Sequence, residues 1–146
     1  MTIASAAPKS NHQPASLPGQ LPASLPVRHP RRLQAEWHDC RQAAEGLRHA
    51  DTLKTLCLRL CEELQLKVAG NAFFQFSPGG VAGTVLLGDA RIALHTWPEH
   101  NMLKADIHLL QNGSESSALA FMERLKVCFQ PVFSSMDQCR RLKKLN

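Results

Sequence analysis

KVAGNAFFQF (Lys67–Phe76), VAGTVLL (Val81–Leu87), RIALHTW (Arg91–Trp97) and LKADIHLL (Leu103–Leu110) follow one another closely. Only Ser77-Pro78-Gly79-Gly80, Gly88-Asp89 and Pro98-Glu99-His100-Asn101 punctuate them. Each run is short and bounded by turn formers, so each reads as a strand. Links this short join antiparallel neighbours, because a parallel crossover needs about a dozen residues or more. Upstream, Leu33, Ala35 and Trp37 alternate with Gln34, Glu36 and His38, the period of a half-buried strand. Between these strands, Leu53, Leu56, Cys57, Leu60, Cys61 and Leu64 fall at spacings of three and four. They predict a helix over Asp51–Leu64 with Asp51 as N-cap. A second apolar stripe, Ala118, Phe121, Met122, Leu125, Cys128 and Phe129, predicts a helix from Ser114 to Phe129 that Pro131 ends. Strand, helix, four strands, helix is the order of an α+β two-layer sandwich. Both helices cover one face of an antiparallel sheet, and the other face is exposed or meets a second copy.

The 146 residues suffice for one domain, and 44% are hydrophobic, enough for a core. The expected organisation is a Pro-rich basic tail over 1–31, a folded domain over 32–133 and a basic tail over 134–146. Pro14-Ala15-Ser16-Leu17-Pro18 recurs as Pro22-Ala23-Ser24-Leu25-Pro26 in the first tail, which is read as disordered. Residues 1–32 carry a charge of +4, residues 134–146 carry +3 and the remainder carries −2. The basic excess lies outside the predicted domain, which argues against a nucleic-acid-binding face. No apolar run approaches membrane-spanning length, and the first residues lack the apolar core of a signal peptide. Five cysteines without framework spacing read as reduced thiols of a cytoplasmic protein. Cys57 and Cys61 are one turn apart on the first helix, but no second pair completes a metal site, so both read as core. Asp106 with His108, and His38 with Cys40, share a strand face and read as solvated pairs.

The segment Gly79-Gly80-Val81-Ala82-Gly83-Thr84-Val85-Leu86-Leu87-Gly88-Asp89-Ala90-Arg91-Ile92-Ala93-Leu94-His95-Thr96-Trp97-Pro98-Glu99 carries the functional signal. It lacks the Lys-Ser/Thr of a phosphate loop and leads into a strand. It resembles the central motif of the prokaryotic S-adenosylmethionine decarboxylases, the pyruvoyl enzymes of spermidine biosynthesis. His95-Thr96-Trp97-Pro98-Glu99 matches that motif without a change. The likeness extends over about residues 33–130.

The resemblance implies an α+β sandwich that dimerises through its sheets, with active sites at the interface. It implies a proenzyme in which a serine attacks the preceding carbonyl and β-elimination leaves a pyruvoyl group as electron sink. The serine position here is Ala90, after Asp89. The histidine that commonly follows is Arg91. The processing histidine is retained as His95, and the catalytic cysteine aligns with Leu110. No pyruvoyl cofactor is therefore expected.

A diverged homologue accounts for Ala90, Arg91 and Leu110 together. It acts as a homodimer, or as a heterodimeric partner or regulator of an active paralogue. The alternatives are a true decarboxylase trapped as proenzyme by a Ser-to-Ala change, a sensor of S-adenosylmethionine or a polyamine, and a structural protein whose pentapeptide merely packs. Because the Pro-rich tail has little to bury, removing residues 1–30 is expected to change stability by no more than about 0.5 kcal/mol. A large fall in the melting midpoint of the truncated chain would show instead that the tail is docked.

Overall fold

The computed structural model describes residues 31–110 and 113–139. The N-terminal tail and the segment after Cys139 lie outside them. The elements are β1 (Arg31–Cys40), α1 (Ala44–Arg48), α2 (Ala50–Glu63), β2 (Val68–Gln75), β3 (Val81–Leu87), β4 (Ala90–Trp97), β5 (Met102–Leu109), α3 (Glu115–Phe129) and β6 (Pro131–Cys139). The six strands form one sheet in the order β2-β3-β4-β5-β1-β6, antiparallel throughout. The predicted meander is present, and β1 returns to lie against β5. The helices pack on one face, as expected from the two apolar stripes.

Period-two alternation divides β1, β3, β4 and β5. Leu33, Ala35 and Trp37 of β1, Ile92 and Leu94 of β4, and Leu103, Ala105 and Ile107 of β5 are buried under the helices. Leu53, Cys57, Leu60 and Cys61 of α2, with Phe121, Met122, Leu125 and Phe129 of α3, close the core from above. Burial pushes the Cys57 thiol far above its ordinary value, with the Cys61 and Cys128 thiols adding to the effect, and burial also raises Cys61. Both are inert core groups, as their spacing implied.

Three expectations are corrected. The chain beyond residue 133 is not a tail as far as Cys139, because β6 pairs with β1 from Cys40↔Pro131 to Arg32↔Cys139. Its pattern of Ser134, Ser135, Asp137 and Gln138 is too polar to announce a strand, and its edge position needs no apolar face. A short helix, α1, precedes α2 and buries Leu47. Asp51 is not the cap of α2, which starts at Ala50. There the Gln75 side chain reaches across from β2: its Oε1 accepts from Ala50 N–H at 2.6 Å, and its Nε2 donates to the Arg48 and Gly80 carbonyls at 2.6 and 3.0 Å. A long-range cap of this kind leaves no local signature. At α3, Ser114 is the N-cap, accepting from Ser117 N–H at 3.2 Å.

Thr96 is the buried polar residue that ties the layers together. Its hydroxyl accepts from Val81 N–H at 2.8 Å and donates to the Leu47 carbonyl at 2.7 Å, joining β4, β3 and α1. Thr96→Val keeps the shape and strands both backbone groups. It is expected to cost about 1–3 kcal/mol in urea unfolding, whereas Thr96→Ser retains both bonds and costs less. Equal stability of the valine variant would show that these bonds do not hold α1 in place.

Candidate functional site

Two regions of the sheet receive the residues that the motif singled out. The first is where β4 begins beside the end of β5. Ala90 pairs with Leu109, and the Asp89 carbonyl accepts from Leu110 N–H at 2.8 Å. The sheet therefore brings Asp89, Ala90 and Leu110, 20 residues apart in sequence, to one spot. Gly113 closes it, since a Cβ there would lie 2.8 Å from the Asp89 carbonyl oxygen. Arg31 secures the loop, donating to the Gly113 carbonyl at 3.2 Å and pairing with Glu115 at 2.6 Å. The Ala90 methyl points to the helix side and is 6% exposed. A cavity of about 40 Å³ lies beneath it, bounded by Leu109, Ser114, Ser117 and Phe121 among others. Leu110, just past β5, is 54% exposed.

The second region is the open face, opposite the helices. His95 sits here, not with Ala90. An odd separation of five residues puts the two on opposite faces of β4, about 16 Å apart by strand rise. The His95 ring stacks on Trp97 at 4.3 Å between centroids and on Phe76 at 5.6 Å, and Phe74 meets Phe76 edge-on at 4.9 Å. The Lys104 ammonium lies 5.7 Å from the Trp97 ring. These rings form a rib standing on β2 and β4. On the other face of the sheet, the helix side, Gly83 makes room for the Phe73 ring, which a Cβ there would overlap.

Beside the rib runs a trough of about 630 Å³ floored by Ala82 and Ala93. Charged side chains border it. Arg32 grips Asp106 with its Nε 2.9 Å from both carboxylate oxygens, and His108 lies 3.5 Å from Asp106. Glu36 accepts from His38 at 2.7 Å and faces Lys104 at 3.5 Å. The His38 hydrogen bond, aided by Lys104, holds the Glu36 carboxyl below its ordinary value.

This face mixes apolar and charged side chains. Ile92, Ile107 and Leu94 belong to the core, and the open face carries Phe74, Leu86 and Trp97 amid ions. Glu99 is exposed beyond the end of β4, near Arg48 and His49, in a separate cleft. Arg91 is exposed on the open face opposite His108. The rib partners Phe74 and Phe76 and the Arg32–Asp106 pair are absent from the motif reading, because only the cross-strand register reveals them. Among the described residues no group of three or more His, Cys, Asp or Glu side chains could hold a metal.

A three-helix, six-strand α+β sandwich with the His-Thr-Trp-Pro-Glu step on its central strand defines a class, and the comparisons agree with it. The sequence model of the S-adenosylmethionine decarboxylase family matches residues 31–142, and the chain belongs to that family. The S-adenosylmethionine decarboxylase proenzyme of Thermococcus kodakarensis is 34% identical over 97 residues, covering 66% of this chain and 66% of that protein. The corresponding proenzyme of Archaeoglobus fulgidus is 28% identical over 78 residues, covering 52% of this chain and 70% of that one. The crystal structure of the adenosylmethionine decarboxylase from Aquifex aeolicus superposes with a TM-score of 0.69, covering 83% of this chain and 98% of that one at 21% identity. That likeness establishes the fold.

Gly113→Ala tests the Asp89–Leu110 junction. Its new methyl must displace the Asp89 carbonyl or the Leu109 side chain, so a loss of about 1–3 kcal/mol is expected. An unchanged urea midpoint would show that the junction is looser than this geometry.

Proposed function

We propose that this chain is a family member that neither cuts itself nor decarboxylates, and that it acts in the cytoplasm as a partner or regulator of an active paralogue in polyamine metabolism. One observation carries the reading. Where the resemblance puts the pyruvoyl-forming serine, the side chain is the Ala90 methyl, buried against the core. Chain cleavage by the family's route needs a hydroxyl to attack the Asp89 carbonyl and an oxygen to eliminate. A methyl supplies neither. The residues present do not fit a pyruvoyl group.

Two further features support the reading. Leu110 stands beside Ala90, where the family's catalytic cysteine aligns, and its isobutyl side chain has no proton to donate. His95 has no ester to act upon and takes part in the aromatic rib. The open face suits a second chain. A raised rib lies beside a trough floored by alanines, so a two-fold partner can seat its rib in the trough and offer its own trough in return. An inactive protomer bound in this way can complete or bias its partner's site.

The same trough favours a second reading, in which the face takes a small ligand and the chain is a sensor for S-adenosylmethionine or a polyamine. A genuine decarboxylase trapped by a single change at Ala90 is the remaining alternative, and restoring the chemistry stepwise decides it. Ala90→Ser is expected to give at most partial cleavage and little labelled carbon dioxide from carboxyl-labelled S-adenosylmethionine. A positioned acid contributes about 10²–10⁴-fold, so Ala90→Ser with Leu110→Cys should exceed either single variant. Family-like turnover from Ala90→Ser alone would mean that the chain is a competent enzyme carrying a trap.

A further inference from the structure

We propose that the aromatic rib on the open face is the docking site of the chain's own Pro-rich segment, Pro14–Pro26, which covers Trp97 in the free molecule. Any other ligand of that face has to displace it. The proposal concerns the isolated chain and does not need the partner reading above.

Three observations carry it, and the first is chemical. Leu17-Pro18, Leu21-Pro22 and Leu25-Pro26 recur every four residues, and no Lys, Arg, Asp or Glu stands between Lys9 and Arg28. Proline-rich segments dock on aromatic-lined grooves, where the stiffness of the polyproline II backbone keeps the entropy lost on binding low. The rib supplies such a surface. Phe74 is 62% exposed and Phe76 is 40% exposed, with His95 and Trp97 stacked beside them. The alanine floor of the neighbouring trough leaves room for leucine side chains.

The second is electrostatic. The ions that border the trough are engaged with one another, Arg32 with Asp106 and Glu36 with His38 and Lys104. A charged ligand would compete with these pairs. An uncharged segment leaves them in place and buries apolar surface against the rings.

The third is reach. Register sets His95 level with Lys104 on β5 and Glu36 on β1, and sets Phe74 level with Ala82 and His95. Glu36 lies five residues along β1 from Arg31, and β4 is two strands from β1. The rib therefore begins about 20 Å from the point where the tail joins the sheet. Residues 14–30 span about 50 Å in polyproline II geometry, enough to turn back from Arg31 and cross the rib as far as Phe74.

Tethering sets the strength. A short linker holds the segment at an effective concentration of order millimolar, so a contact of millimolar affinity closes the cover in about half of the molecules. Closure to that extent raises the folded population about two-fold, or about 0.4 kcal/mol. This agrees with the small change in stability expected on removing residues 1–30.

Acrylamide quenching of tryptophan fluorescence in the full chain tests the cover. Trp37 is 2% exposed and stays shielded, so the quenchable emission is that of the half-buried Trp97. Wild type is measured beside a full-length variant carrying Leu17→Ser, Leu21→Ser and Leu25→Ser. The variant keeps the length, charge and prolines of the tail and leaves residues 31–139 untouched, and circular dichroism verifies that both chains fold. The expected result is quenching about two-fold steeper in the variant, with the difference independent of protein concentration. Equal quenching, or shallower quenching in the variant, would overturn the proposal. A difference that disappears on dilution would show that a second copy covers Trp97, and would overturn the intrachain cover equally.

Discussion

A residue on a β-strand has two faces to choose from, and β4 sends its side chains alternately to each. Ala90, Ile92, Leu94 and Thr96 enter the core, while Arg91, Ala93, His95 and Trp97 stand on the open face. Because the strand lies third in the sheet, between β3 and β5, its register is held from both sides. A slip of one residue would expose the core set and bury an arginine, so the division is strongly specified. Thr96 tightens it with the two hydrogen bonds that reach β3 and α1. The alternation separates the position aligned with the family's serine from the retained histidine: one belongs to the helix side, the other to the aromatic rib.

The surroundings of position 90 set what a serine there would require. A hydroxyl at position 90 would point into a small, mostly apolar cavity and would need a hydrogen-bond partner there to offset its burial. The methyl needs none. An alanine at this place is therefore compatible with a stable core. Leu110 behaves similarly. Its side chain is largely exposed, and what the junction uses is its backbone N–H on the Asp89 carbonyl, which any residue except proline supplies. The junction can persist whether or not a catalytic side chain is mounted on it.

Much of the fold was legible because strands and helices advertise themselves through periodicity. β3 matched its predicted bounds, β4 and β5 began one residue earlier than expected, and both long helices showed unbroken apolar stripes. The misses have a common cause. β6 is a polar edge strand, α1 is too short to show a period, and the N-terminus of α2 is capped by Gln75 from a distant strand. None of these has a local pattern. Of the candidate site, the pentapeptide and the three departures at Ala90, Arg91 and Leu110 were readable. The rib contributed by Phe74 and Phe76, the trough floored by Ala82 and Ala93, and the Arg32–Asp106–His108 cluster exist only once the strands are in register.

Survival of the peptide bond between Asp89 and Ala90 is the most direct sign that the chain does not cut itself, and intact mass spectrometry of the purified chain measures it. A single species of full length, allowing for removal of Met1, is the result predicted. Two fragments divided at the Asp89–Ala90 bond would contradict it, because they would show that the chain cuts itself without a hydroxyl at position 90.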